Sequence, residues 1–374
     1  MPATVAAHSR LALLPVCLVL AGVAAVPVGL LWDFSWESTI GADPFWAPPH
    51  ATMHIGTLLA GLAALMFVRK STSLDEAIDL WKFRAPFGAW LTLWSALLVL
   101  TATLFDKWWQ SAYGLNSEVT PPPQLLSAAG SIGLLLGALT LIISQQNRAP
   151  GSRLFTGFFI AIAALLLMQV WTMTVTSNYP NQQHSASFYQ RSCAFYPLIL
   201  AAVARAGKCR WSATRAALLY LFAVCLFVWI LPLVPARPLT PPIYNDLKSM
   251  MPPPFPLLLV VPAFFLELLL RRATRWNGWW LSIVVGCVFF MLLAFVQWLF
   301  AAFLLTPAAD NWFFASAGKN WPFFINTEGL ARTTFWDTQQ NPLSLSAAVL
   351  ATVIAIASVR LGVWCGDWLS KLRK

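Results

Sequence analysis

Two carboxylates and two imidazoles stand near one another in this chain at spacings that suit a shared ligand. Asp33 and Glu37 are four residues apart, and so are His50 and His54; residues four apart lie on one face of a helix. Joined by a short loop, the two pairs can converge on one metal ion. The chain has only 4 histidines, so two in one place form a concentrated signal. His184 is a third imidazole expected on the same side, while His8 lies in the N-terminal tail. Imidazole suits copper and zinc, and a carboxylate shifts the preference toward harder ions such as iron. The expected occupant is therefore a transition metal, copper, iron or zinc. The competing reading of the same residues is a hydrogen-bonded cluster that only caps helix ends.

The loop that carries these residues has a second version. The first runs Asp33, Trp36, Glu37, Gly41, Pro48, Pro49, His50, and the second runs Asp106, Trp109, Gln110, Gly114, Pro121, Pro122, Pro123, Gln124. That order points to a duplicated helix-loop-helix pair over residues 1–68 and 86–144. Gln is a poor ligand, so no metal is expected in the second copy. Asp43, Asp106, Gln110 and His184 complete a wider set of candidate polar residues.

The stretch from Asp33 to His50 resembles the C subunit of particulate methane and ammonia monooxygenases. In that family an Asp, a His four residues on and a second His thirteen further hold a metal at the membrane edge. An Asp lies between the histidines, with a Pro shortly before the second. Here Asp33, Glu37 and His50 keep the spacing, Asp43 takes the intervening place and Pro48 precedes His50. Glu37 stands where the family has its first His. The resemblance is confined to residues 33–50 of 374. It implies a metal site and, if the protein is an enzyme, a subunit of a metal-dependent membrane oxidoreductase.

The elements that must position these residues are set by hydrophobicity. Hydrophobic residues make up 59% of the chain and charged residues 10%, against about 25% charged in soluble domains. That surplus needs a bilayer. Apolar runs of spanning length occur near 11–31, 51–68, 86–105, 123–144, 154–176, 187–204, 212–235, 254–270, 277–305 and 344–364. The reading is an all-α polytopic bundle of about ten transmembrane helices forming a single domain over 1–374. The run at 187–204 is the weakest, because Gln190 and Arg191 stand near its start.

Lys and Arg collect at alternate ends of these runs. Arg69, Lys70, Arg148, Arg153, Arg205, Arg210, Arg271, Arg272, Lys371 and Lys374 fall on one face, and that face becomes the cytoplasmic one. Both termini are then cytoplasmic and the protein is integral to the plasma (inner) membrane. The net charge of +10 acts as a topology signal, with no patch for nucleic acid. The six cysteines show no paired spacing, which argues against a disulfide framework. On the outer face, residues 306–343 form a long loop rich in Trp and Phe, expected to fold back on the bundle or lie along the membrane.

No phosphate loop, dinucleotide fingerprint, nucleophile elbow or haem-attachment motif is present. The leading expectation is a membrane protein with a metal or polar site on its outer face. Its alternatives are a transporter or channel for a small solute, and an assembly subunit that binds other membrane subunits.

Overall fold

The computed structural model describes residues 2–41, 44–70, 78–80, 83–114, 121–149, 151–241, 243, 247–273, 275–314 and 342–372, with side chains from residue 13 onward except at 69–84. Among them are ten α-helices, one for each apolar run: α1 Pro2–Thr39, α2 Pro48–Lys70, α3 Phe87–Tyr113, α4 Pro122–Arg148, α5 Arg153–Met173, α6 Ala186–Ala206, α7 Ser212–Ile230, α8 Val260–Arg272, α9 Gly278–Leu304 and α10 Leu345–Lys371. A small hairpin, β1 Ile78–Leu80 and β2 Phe83–Ala85, joins α2 to α3. The protein is an all-helical, multi-pass membrane protein.

Eight of the ten helices are long and apolar enough to cross a bilayer. Their outer surfaces keep large apolar side chains, with Ile55 65%, Leu104 67% and Phe295 66% exposed. Exposure on that scale is a lipid-facing surface. The other two helices differ for local reasons. Helix α6 carries Gln190 and Arg191 in its second turn, which lowers its hydrophobicity. Helix α8 has only 13 residues, too few for a crossing that needs about 20. The expected span 254–270 becomes a helix only at Val260, because Pro252, Pro253, Pro254 and Pro256 remove amide donors and push the residues before them out of the α region.

The helices fall into two compact units. The first holds residues 1–30, 45–166 and 371–374; the second holds 31–44 and 167–370. In the first unit glycines let backbones meet. A Cβ on Gly88 of α3 would lie 2.6 Å from the carbonyl oxygen of Gly137 in α4, and one on Gly22 of α1 would lie 2.6 Å from the Gly56 carbonyl of α2. Small residues at crossings replace the hydrophobic drive that lipid cannot supply.

In the second unit α8 packs against α6, α7 and α9. Its C-terminal half is clamped by Glu267, fully buried, which accepts from the amide and hydroxyl of Thr214 at 3.1 Å and pairs with Arg271 at 3.4 Å. Arg205 and Asp367 tie α6 to α10 at 2.7 Å. Arg360 lies over the Trp279 ring, 5.4 Å from its centroid. Glu267, Arg271 and Arg360 thus serve the packing of helix ends.

The long loop 306–343 is described at its two ends, and its remainder, 315–341, lies outside the described residues. Its first part does fold back within the second unit. Phe313 and Phe314 pack on Phe255, and the Trp229 indole donates to the Phe313 carbonyl at 2.9 Å.

Candidate functional site

Helix α1 runs without a break through Asp33 and Glu37, so both are helical, with Asp33 buried and Glu37 exposed. They belong to the second unit, whereas His50 and His54 open α2 in the first. Asp43 lies outside the described residues. Among the described residues no group of three or more His, Cys, Asp or Glu side chains is placed to hold a metal ion.

Within the first unit the N-terminal end of α2 meets the C-terminal part of α3. His50 interacts electrostatically with Asp106, the second loop's aspartate. Asp106 accepts a 2.7 Å hydrogen bond from Gln110 one turn on. The His54 ring lies 6.0 Å from that of His50, and Phe45 and Trp46 cover it at 5.1 and 5.8 Å. The two loops also share their punctuation. Gly41 and Gly114, each just past a helix end, have φ of 75° and 88°, a conformation that a side chain disfavours. The helices after them open on prolines, Pro48 and Pro122, whose missing amide costs nothing at that position.

The densest buried polar chemistry lies elsewhere, in the second unit. Residues 250–258 form neither helix nor strand, yet nearly all of them are buried, with Leu257 0% exposed. A buried segment without a helix or sheet ladder must find partners for its peptide groups elsewhere. Four side chains supply them. Thr39 of α1 accepts from the Met251 amide at 2.8 Å, and Ser35 donates to the Met251 carbonyl. The Tyr220 hydroxyl of α7 accepts from the Leu257 amide at 3.2 Å, and Gln297 of α9 accepts from the Leu258 amide at 3.0 Å.

From Gln297 the network runs on. Its amide nitrogen donates to Gln183 at 2.6 Å, Gln183 donates to the Asn178 carbonyl at 2.6 Å, and Asn178 donates to the Trp171 carbonyl at 2.8 Å. Gln183 and Asn178 sit in the connection between α5 and α6. That connection is mostly buried, unlike an ordinary surface loop. His184 lies in it as well, 4% exposed, with its ring edge-on to Trp298 at 4.3 Å. Burial pushes its pKa below the ordinary 6.5, partly offset by a bond to the Trp298 backbone. Its imidazole is thereby held neutral.

Of the described sequence candidates, His184 lies beside this network, next to Gln183. Gln297, Gln183, Asn178 and Tyr220 carry no motif, and 114 residues separate the first two. The available signals were Gln297 within the otherwise apolar α9 and the proline run before α8. Set against known proteins, the chain matches no family model, no curated protein and no solved structure. Its function has to be argued from this geometry.

Proposed function

We propose that the chain is a multi-pass plasma-membrane protein, termini cytoplasmic, that binds a small solute at the helix break of its second unit and passes it as a transporter or channel does. The observation that carries this is the buried, non-helical segment 250–258, held by side chains of α1, α7 and α9. Non-helical backbone inside a membrane protein is tolerated where protein buries it or where it lines a cavity. Transporters place their substrates at such helix breaks, where peptide groups and polar side chains face inward. The polar loop between α5 and α6 supplies the outward side of the site, with Asn178, Gln183 and His184.

The metal-dependent oxidoreductase reading lacks comparable support. Among the described residues no group of three or more His, Cys, Asp or Glu side chains is placed to hold a metal ion.

The test is access of water to the break. In a background with the six cysteines replaced by alanine, Tyr196→Cys and Leu258→Cys are exposed to a water-soluble methanethiosulfonate in right-side-out vesicles. Tyr113→Cys, at the exposed end of α3, is the positive control. Labelling of either buried position is expected. Labelling of the control alone would overturn the proposal.

A further inference from the structure

Two guanidiniums share one indole at the corner where α6 turns into α7 and α8 ends. The Cζ atoms of Arg210 and Arg271 lie 5.3 and 5.7 Å from the centroid of the Trp211 ring. The same ring stacks on Phe264 of α8, with centroids 4.8 Å apart. Phe264 and Arg271 are seven residues apart, hence on one face of α8. The indole therefore lies along that face, from an apolar residue to a charged one. Its backbone is held in a conformation that so bulky a residue avoids. Trp211 has φ 66° and ψ 40°, the left-handed region, and no other non-glycine residue has positive φ among the described residues. Such a conformation persists only where the surroundings impose it. Here the Phe264 stack holds the ring, and Arg271 donates to the Cys209 carbonyl two residues upstream at 3.1 Å.

Positive charge is gathered at this corner without being balanced. Lys208, Arg210, Arg215, Arg272 and Arg275 are exposed, and none of them is paired with a carboxylate among the described residues. Glu267 is buried, and its oxygens are already engaged by Arg271 and by Thr214 in the first turn of α7. Cations elsewhere in the same unit are settled, with Arg205 on Asp367 and Arg360 over Trp279. Orientation in the membrane requires only that basic residues lie on one side. It does not require two of them to share a ring on a strained backbone.

We infer that this corner binds the phosphate of an anionic phospholipid. It is distinct from the helix break, since the 13 residues of α8 separate them by about 20 Å. Arginine presents paired N–H donors that match phosphate oxygens, and Trp is suited to the headgroup level of a membrane. Exposed Leu218 and Phe222 of α7 and Phe265 of α8 continue from the corner as apolar surface for acyl chains. A free phosphate ion would use the cations and leave that surface unused. A zwitterionic headgroup would bring its own cation against the cluster.

Native mass spectrometry of the purified full-length protein tests this, with palmitoyl-oleoyl phosphatidylglycerol as the probe and the matching phosphatidylcholine and inorganic phosphate as comparators. The first equivalent of phosphatidylglycerol is expected to bind about tenfold or more tighter than either comparator. Arg210→Gln combined with Arg272→Gln should weaken it about thirtyfold, roughly fivefold for each basic side chain near an anionic surface. Arg153→Gln combined with Lys371→Gln removes as many exposed cations from the first unit and should leave that affinity unchanged. Both pairs alter exposed side chains, so an unchanged melting temperature is the check on folding. Trp211→Gly keeps every charge but removes the shared ring, and should weaken the lipid about threefold. Equal weakening in the two double variants, equal retention of phosphatidylcholine, or wild-type binding by Trp211→Gly would show a diffuse field and overturn the inference. Displacement of the lipid by an equal concentration of inorganic phosphate would overturn the lipid as occupant.

Discussion

In the first unit the helices come together through what is missing. Gly22, Gly56, Gly88 and Gly137 leave no side chain where backbones touch, and the polar groups His50, His54, Asp106 and Gln110 stand at the ends of α2 and α3. The second unit is built the other way. Its centre holds Gln183, Gln297, Asn178, Tyr220 and Thr39, each spent on a peptide group or a neighbouring amide that no helix ladder reaches. Close contact of apolar helices makes a rigid scaffold. A core stitched by side-chain hydrogen bonds keeps polar groups inside the membrane, and such groups are retained there at a cost that function justifies. On the proposed reading, ligand handling belongs to the second unit and structural support to the first.

The contrast can be broken by mutation, with the largest effect expected in the scaffold. Gly88→Leu drives a side chain into the backbone of α4 and should lower stability by about 3 kcal/mol or more, read as loss of the monodisperse peak on size-exclusion chromatography. Full tolerance would mean that α3 and α4 do not cross at Gly88. Gln297→Leu in the second unit strands the Leu258 amide and the Gln183 oxygen. A loss of about 2–3 kcal/mol is expected by thermal unfolding. Gln297→Glu, which keeps an acceptor for the Leu258 amide, should recover part of the loss.

How much of this was readable beforehand follows the same division. Hydrophobic runs marked all ten helices, since apolar length has a single physical meaning in a bilayer. The break before α8 was equally present in the letters, with Pro252, Pro253, Pro254 and Pro256 within five residues, but a run scored for hydrophobicity alone continues through proline. The network on Gln297 was not readable. Its partners lie 39 and 114 residues away, and only the packing of α9 joins them. At the loop repeat, spacing placed His50 at a helix start and Asp106 in the second loop, and the structure brings the two into electrostatic interaction. Residues four apart do not guarantee equal burial, as Asp33 and Glu37 illustrate.

Two smaller effects sharpen the comparison. His184 is held neutral by burial, so its folded pKa lies below 6.5. The unfolded chain then binds a proton that the folded chain refuses, and stability contributed above the unfolded pKa falls as pH drops through 6.5. Melting temperature measured from pH 8 to 5 should decline more steeply for wild type than for His184→Gln. Parallel curves would show that this imidazole does not titrate with folding. At the rim of the first unit, a double-mutant cycle between His50→Ala and Asp106→Asn should give about 0.5 kcal/mol, as for a partly exposed pair. A coupling several times larger, or stoichiometric copper, iron or zinc lost on His50→Ala, would turn that rim into a functional centre and reverse the contrast.

The anchoring of Met251 by α1 also has a meaning for assembly. Ser35 and Thr39 precede their partner by 216 and 212 residues. At about 5–20 residues per second of synthesis, α1 waits roughly 10–40 s for that segment to emerge. During that interval the Thr39 hydroxyl can donate to the Ser35 carbonyl within its own helix, a bond it keeps in the finished protein at 2.7 Å. The end of α1 can therefore enter the bilayer with its hydroxyl proton already satisfied, leaving only a lone pair to be claimed when the proline-rich segment arrives.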